Sequence, residues 1–215
     1  MKIKTIPQLS ASLNDDISWR KREIIELRMQ AARKDDVAHK TILRAGVAIL
    51  YSHWEGFVKS STEMLLNYVS NQKLKNEELS EAYVVQSFKS HISSLAETKN
   101  AGVAIESLRF ILTKMDKNSN ISPKNYVNTE SNLSSEVFDR IAKSVGVDVE
   151  KYLHLYPFID ESIVCKRNYI AHGEFMDIDF DEYKRISDRV FDLIRSYKDD
   201  VENIAVSKSY AKAVA

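Results

Sequence analysis

The chain has 215 residues, 44% of them apolar, with 31 basic and 31 acidic side chains, 5 glycines and 3 prolines. A chain of this size suits one domain that buries roughly 70% of its unfolded surface. Zero net charge excludes a general nucleic-acid coat, so any nucleic-acid contact has to be local, and the single cysteine, Cys165, excludes an internal disulfide or a Cys-based zinc site within one chain.

Few breakers and many Leu, Ile, Glu, Lys and Arg residues favour helix over sheet. Residues 1–14, with Pro7 and Ser/Asn-rich positions, read as an irregular lead-in. Asp15 or Asp16 caps a first helix to about residue 34, on Ile17, Ile24, Leu27 and Ala31. The second helix, residues 37–70, carries a stripe of Leu43, Val47, Leu50, Trp54, Phe57, Leu65 and Tyr68. At 1.5 Å per residue it spans about 50 Å, the length of a bundle's spine. Residues 82–96 form a third helix with Val85, Phe88, Ile92 and Leu95 inward. Residues 105–115 are short and apolar, and 116–132 are the main loop, broken by Pro123. Ser134 or Ser135 caps a helix to Val145, closed by Gly146. Pro157 suits the first turn of the next helix, and Gly173 a left-handed cap at its end. Asp177, Asp179, Asp181 and Glu182 open the last helix, where the macrodipole favours negative charge, with Tyr183, Ile186, Val190, Phe191 and Ile194 inward. The domain is expected over 15–205, with a flexible tail at 206–215.

Charge is uneven. Residues 19–44 hold eight Lys/Arg against four Asp/Glu, a candidate phosphate-facing surface or simply a solvated helix face. Cys165 sits in an apolar run and reads as a buried small hydrophobe. No segment approaches the roughly 20 apolar residues that span a bilayer, and the first residues lead into no signal-like stretch, so a cytoplasmic protein without membrane contact is expected.

The chemistry concentrates in Arg167-Asn168-Tyr169-Ile170-Ala171-His172, followed by Gly173. Arginine grips phosphate oxygens in a planar fork and never gives up its proton, while histidine exchanges one near neutral pH. The two lie about 140° apart around an ideal helix and would flank a groove, whereas Asn168 and His172, four apart, share a face. At a helix end His172 meets the negative pole of the macrodipole, which suits a proton donor or a phosphate holder. The reaction that fits is attack of a ribose 2′-hydroxyl on the adjacent phosphate, which needs proton transfer and charge stabilisation but no metal or other cofactor. By spacing alone, a merely structural Arg and His fit as well.

The string 167–173 resembles the Arg-Asn-x-x-x-His motif of the HEPN superfamily, and it lies between the last two long helices of an all-helical chain. Trp54-Glu55-Gly56-Phe57, and Ser131-Asn132-Leu133-Ser134 with the helix after it, are similar to bacterial defence-associated members. The resemblance spans about 15–200. It implies an up-down helical bundle with one long spine helix and extra short helices. It also implies a homodimer whose two motifs face each other across one composite ribonuclease site, in a toxin or phage-defence effector. Arg167, His172 and Asn168 would be the catalytic residues, RNA the substrate, and an antitoxin or regulatory protein a possible partner. A tyrosine two residues beyond the histidine, which nucleotidylation-controlled members carry, is replaced here by Glu174. The alternative implied is a non-catalytic module that binds a nucleotide or RNA or regulates a partner; a purely structural helical protein is the third.

Glu55 is an auxiliary candidate, sharing a face with Tyr51, Lys59 and Thr62. It could orient His172, pair with Arg167, or make a plain i,i+4 pair with Lys59. Trp54 reads as core. Asp177-x-Asp179-x-Asp181 lacks the glycine of a calcium loop, and the remaining histidines show no metal-ligand spacing. No glycine-rich phosphate loop or Gly-x-Ser-x-Gly elbow occurs. Five acids between Glu174 and Glu182 stand near the motif and would repel RNA unless turned away.

Overall fold

A computed structural model describes residues 2–32, 36–122 and 127–213. Its helices are α1 (Ile6–Ala31), α2 (Asp36–Ser70), α3 (Glu81–Ser87), α4 (Lys89–Glu97), α5 (Ala101–Thr113), α6 (Ser135–Ser144), α7 (Lys166–Ala171) and α8 (Phe180–Ser207). Short 3-10 turns lie at Asn76–Glu78 and Glu150–Leu155, and a π-helical segment at Phe158–Cys165. No strand occurs among the described residues, so the expected all-α bundle with one long spine is what the chain forms.

The spine is α2. Every residue of its expected stripe, Leu43 through Tyr68, is buried. The long helices α1 and α8 pack on it and on each other, and α7 and the π segment pack on it as well. Close approach of α8 depends on Gly46, where an added Cβ would stand 2.7 Å from the Tyr183 ring. At the centre, Phe138 of α6 meets Trp54, Tyr152 and Tyr197 with ring centroids 5.1, 5.0 and 5.5 Å apart. Tyr197 shares a buried 2.7 Å hydrogen bond with Thr62, tying α8 to the spine.

Three expectations need correction. The irregular lead-in over 1–14 is mostly helix: Thr5 caps α1 through the Gln8 amide, and Pro7 falls in the first turn, where a missing N–H costs nothing. Leu9 and Leu13 are fully buried, and the Ile3 amide donates to Asn67 at 2.8 Å. The polar residues that suggested a loop face outward, and Ser12 and Ser18 bond back to carbonyls four residues earlier. Asp16 is no cap; it pairs with Arg20 at 3.2 Å. The expected tail is docked through its described residues. Tyr210 is buried beside Tyr68 and Tyr83, and the Lys212 amide donates to the Glu78 carbonyl at 2.9 Å. The expected third helix breaks at Phe88, whose ring turns toward Phe110, and Val85 is left exposed. Pro123 and residues 33–35 lie outside the described residues.

His53 is buried where α1 meets α2, with Nε2 3.0 Å from a Glu23 carboxylate oxygen. Burial pushes its pKa below the ordinary value of 6.5, against the pull of Glu23. The folded state therefore favours the neutral ring, and the unfolded chain binds the extra proton first as pH falls. Stability held above about pH 6.5 should fall on acidification through the lower folded pKa, and His53→Gln should flatten that slope in urea titrations between about pH 7.5 and 5.5. Equal slopes would refute this. Phe138→Ala should cost about 3–5 kcal/mol in the same assay, and a loss under about 1 kcal/mol would contradict its central place.

Candidate active site

The motif ends a continuous helical rod that changes its winding. A 3-10 turn at Glu150–Leu155 leads into the π segment Phe158–Cys165 and then α7. The buried residues of the π segment are Phe158, Ile159, Ile163 and Val164, two pairs spaced by five. An α-helix would spread these widely, whereas a π winding, bonded i→i+5, gathers residues five apart toward one face. Asp160 fixes the segment to α6: its carboxylate accepts the Ser135 amide at 2.7 Å and hydroxyl at 2.5 Å. The rod stops at Gly173, whose φ of +75° lets the Gly173 and Glu174 amides turn back to the Ile170 and Tyr169 carbonyls at 3.1 and 2.9 Å.

Arg167 points into the groove between α7 and α2. Its guanidinium lies 3.9 Å from the Tyr51 ring centroid. One terminal nitrogen, Nη2, donates to the Ser131 carbonyl at 2.8 Å and to Asn132 Oδ1 at 3.1 Å. Nε is buried without a partner. The Tyr51 hydroxyl accepts the Leu133 amide at 2.8 Å, so one ring both floors the cation and anchors the loop that holds it. Burial raises the Tyr51 pKa, partly offset by that amide, and the phenol stays neutral near pH 7. The same loop holds two consecutive non-glycine residues in the left-handed region, Glu130 and Ser131, each at φ 55°. Backbone strain of this kind persists only where surrounding contacts hold it. The groove encloses about 360 Å³ and is lined by Ala48, Tyr51, Ser52, Glu55, Ser131, Arg167, Ile170 and Ala171.

His172 opens elsewhere. It caps α7, is exposed, and lines a hollow of about 270 Å³ with Asp160, Val164, Cys165, Asn168, Tyr169 and Glu174. Asn168 and His172 thus share a face as their spacing predicts, but only the backbone joins them: the His172 amide donates to the Asn168 carbonyl at 2.9 Å. Arg167 and His172 of one chain line different hollows.

Among the auxiliary candidates, Glu55 and Tyr51 line the groove of Arg167 and not the hollow of His172. Glu55 forms no ion pair with Arg167 or with Lys59, which is exposed beyond the groove. Tyr51 and Thr62, read as sharing a face with Glu55, are buried. Cys165 is exposed, not buried, because the π winding turns it toward the His172 hollow. Part of the basic stretch 19–44 is consumed by structure: Arg20 pairs with Asp16, Arg28 with Asp188 at 2.6 Å, and Arg44 donates to the Glu174 carbonyl at 2.9 Å. Three of the five acids near the motif are likewise occupied, while Glu174 lines the His172 hollow. Lys40 pairs with Asp177 at 3.3 Å, Lys166 with Glu182 at 2.8 Å, and Asp179 caps α8. Among the described residues no cluster of three or more His, Cys, Asp or Glu is placed to hold a metal, and no helix is long and apolar enough to cross a membrane.

Ser131 and Asn132 entered the sequence reading only through the resemblance, and their hold on Arg167 escaped it. Asn132 and the Ser131 carbonyl hold Arg167 from 35 and 36 residues away, with no local spacing to betray them. The π winding did leave a trace, in apolar pairs five apart. A sequence model of the family described as MAE_28990-like HEPN matches residues 9–210. No curated protein and no solved structure matches the chain.

Tyr51→Phe keeps the ring beneath Arg167 and removes the acceptor of the Leu133 amide. It should cost about 1–2 kcal/mol and speed hydrogen exchange at Leu133. Unchanged exchange there would show that the hydroxyl does not anchor the loop.

Proposed function

The chain belongs to the MAE_28990-like HEPN family, and on that premise we propose that it is a metal-independent endoribonuclease acting as a homodimer. Membership points to RNA or nucleotide chemistry. The single observation that carries the finer reading is the division of the motif: Arg167 and His172 line different hollows of one chain. A second copy is the simplest way to bring a guanidinium and an imidazole to one phosphate.

In the reaction, the 2′-oxygen of the ribose bonds to phosphorus and the bond from phosphorus to the 5′-oxygen breaks. An imidazole accepts the 2′-proton and passes a proton to the departing 5′-oxygen, so His172 of one copy serves in turn as base and acid beside Arg167 of the other. Arg167 neutralises charge on the phosphoryl oxygens, already desolvated on one side by Tyr51. Asn168, on the face of His172, orients the imidazole or the ribose once RNA is bound. The products are a 2′,3′-cyclic phosphate and a 5′-hydroxyl. Glu55, in the groove of Arg167, serves there and not at His172 of the same chain. A toxin or phage-defence effector in the cytoplasm, silenced by an antitoxin or regulatory protein, is the biological role that suits such an enzyme.

One observation favours the alternative, a non-catalytic module that binds RNA or a nucleotide. Arg167 is already engaged by Ser131, Asn132 and Tyr51, as a purely structural arginine would be.

The readings separate in one assay. RNA incubated with the protein in EDTA should gain cyclic-phosphate ends, and Arg167→Ala or His172→Ala should each lower the rate about 10²–10⁴-fold with folding intact. Mixing the two inactive variants should restore a measurable fraction, because each supplies what the other lacks. No recovery on mixing would place both groups' work within one chain. An inert unmutated protein would favour the binding module.

A further inference from the structure

The groove of Arg167 holds an unmet acceptor as well as a cation. Glu55 lines it one helical turn beyond Tyr51 and is half-buried. Its charge is felt at the Tyr51 phenol, whose oxygen already accepts the Leu133 amide. Among the described residues the Glu55 carboxylate has no hydrogen-bond or ion-pair partner. The nearby Ser52 hydroxyl is turned away from it, donating to the Ala48 carbonyl at 3.0 Å. A partly desolvated carboxylate without a donor is costly, so the position favours a ligand that brings donors to it. Arg167 is the complement. Its Nη2 is shared between Ser131 and Asn132, while Nη1 carries no hydrogen bond among the described residues. A free cationic donor and a free anionic acceptor thus face one space of about 360 Å³, kept open by the small side chains of Ala48 and Ala171.

We propose that this groove binds a guanine nucleotide, its phosphate on Arg167 and the Watson–Crick edge of its base on Glu55. The inference rests on the RNA or nucleotide reading of the same site, but not on catalysis. A ligand that satisfies both side chains must carry an anion and an N–H edge, as a nucleotide does. Among the four RNA bases only guanine sets two donors side by side, its imino N–H and its 2-amino group. These meet the two oxygens of a carboxylate in parallel. Adenine and cytosine place a ring-nitrogen acceptor beside the amino group, and uracil flanks its N–H with two carbonyls. Each of those edges turns a lone pair on Glu55.

Calorimetric titration of the full chain with the 3′- and 5′-monophosphates of guanosine, inosine and adenosine tests it. Inosine differs from guanosine only in lacking the 2-amino group. The better-fitting guanosine isomer should bind about tenfold or more tighter than the matching inosine or adenosine phosphate, the effect of one charge-assisted hydrogen bond. Glu55→Gln, which keeps the shape of the side chain, should remove most of the gap between guanosine and inosine with Tm unchanged. A carboxamide still meets the imino N–H and carbonyl that the two bases share. Arg167→Ala should weaken all the ligands alike, since they share the phosphate. An RNA with one guanosine, made 2′-deoxy there so that it cannot react, should bind tighter than the mononucleotide if RNA supplies the base; no gain would assign the groove to a free guanine nucleotide. Equal affinity for guanosine and inosine phosphates, a gap unchanged by Glu55→Gln, or no binding of any nucleotide would overturn the proposal. Selective binding without RNA cleavage would sink the nuclease and leave the guanine site standing. Cleavage without a preference for guanosine over inosine would do the reverse.

Discussion

The stacking of Arg167 on Tyr51 is the contact on which the site depends. It joins the spine helix, the loop before α6 and the motif helix through one cation. The guanidinium lies against the ring, its Nη2 is shared between Ser131 and Asn132, and Nε is buried without a partner. A cation–π contact at a half-buried site contributes about 1–2 kcal/mol. Its larger effect is on position. Arg167 has little freedom left, so a phosphate that reaches it meets a charge already oriented and partly stripped of water, the condition under which electrostatic stabilisation is strongest.

The winding of the rod decides where His172 goes. An unbroken α-helix from Pro157 would leave Phe158, Ile159, Ile163 and Val164 spread around its surface. The π segment gathers them onto the core and hands α7 to the motif at a changed angle. Asp160 locks that angle by accepting the Ser135 amide and hydroxyl at the start of α6. Gly173 then ends the helix directly after the imidazole, leaving it exposed. Of the acids that follow, Asp177, Glu182 and Asp179 are drawn off by Lys40, Lys166 and the start of α8, which lowers the repulsion an RNA backbone would meet, while Glu174 stays in the His172 hollow.

Much of the fold was legible because periodicity reports burial directly. The stripe of α2 from Leu43 to Tyr68, the cap at Ser134 and the stop at Gly173 follow from spacing and turn chemistry within a few residues. The first turns of α1 were hidden because serines and asparagines on a solvated helix face look like a loop. Tyr210 was hidden because its burial depends on Tyr68 and Tyr83, both distant in the chain. The helix break at Phe88 had no Gly or Pro to mark it. At the site, the motif itself was plain, and so was the face shared by Asn168 and His172. The hold of Asn132 on Arg167 was not, since a side chain reaching across 35 residues leaves no periodic signal. Cys165 was misplaced because its apolar neighbours suggested burial, and only the π winding turns it outward.

The core is closed around Phe138 and Trp54, while α5 leaves several apolar side chains exposed. The central claim nevertheless concerns a phosphate: that Arg167 of one copy and His172 of another converge on it. The most direct measurement is a crystal structure with an RNA carrying a 2′-deoxy substitution at the scissile nucleotide, which cannot react. The account predicts one phosphate within hydrogen-bonding distance of an Arg167 guanidinium and an imidazole from a different chain. A phosphate bound away from Arg167, or two copies with their motifs facing apart, would contradict it.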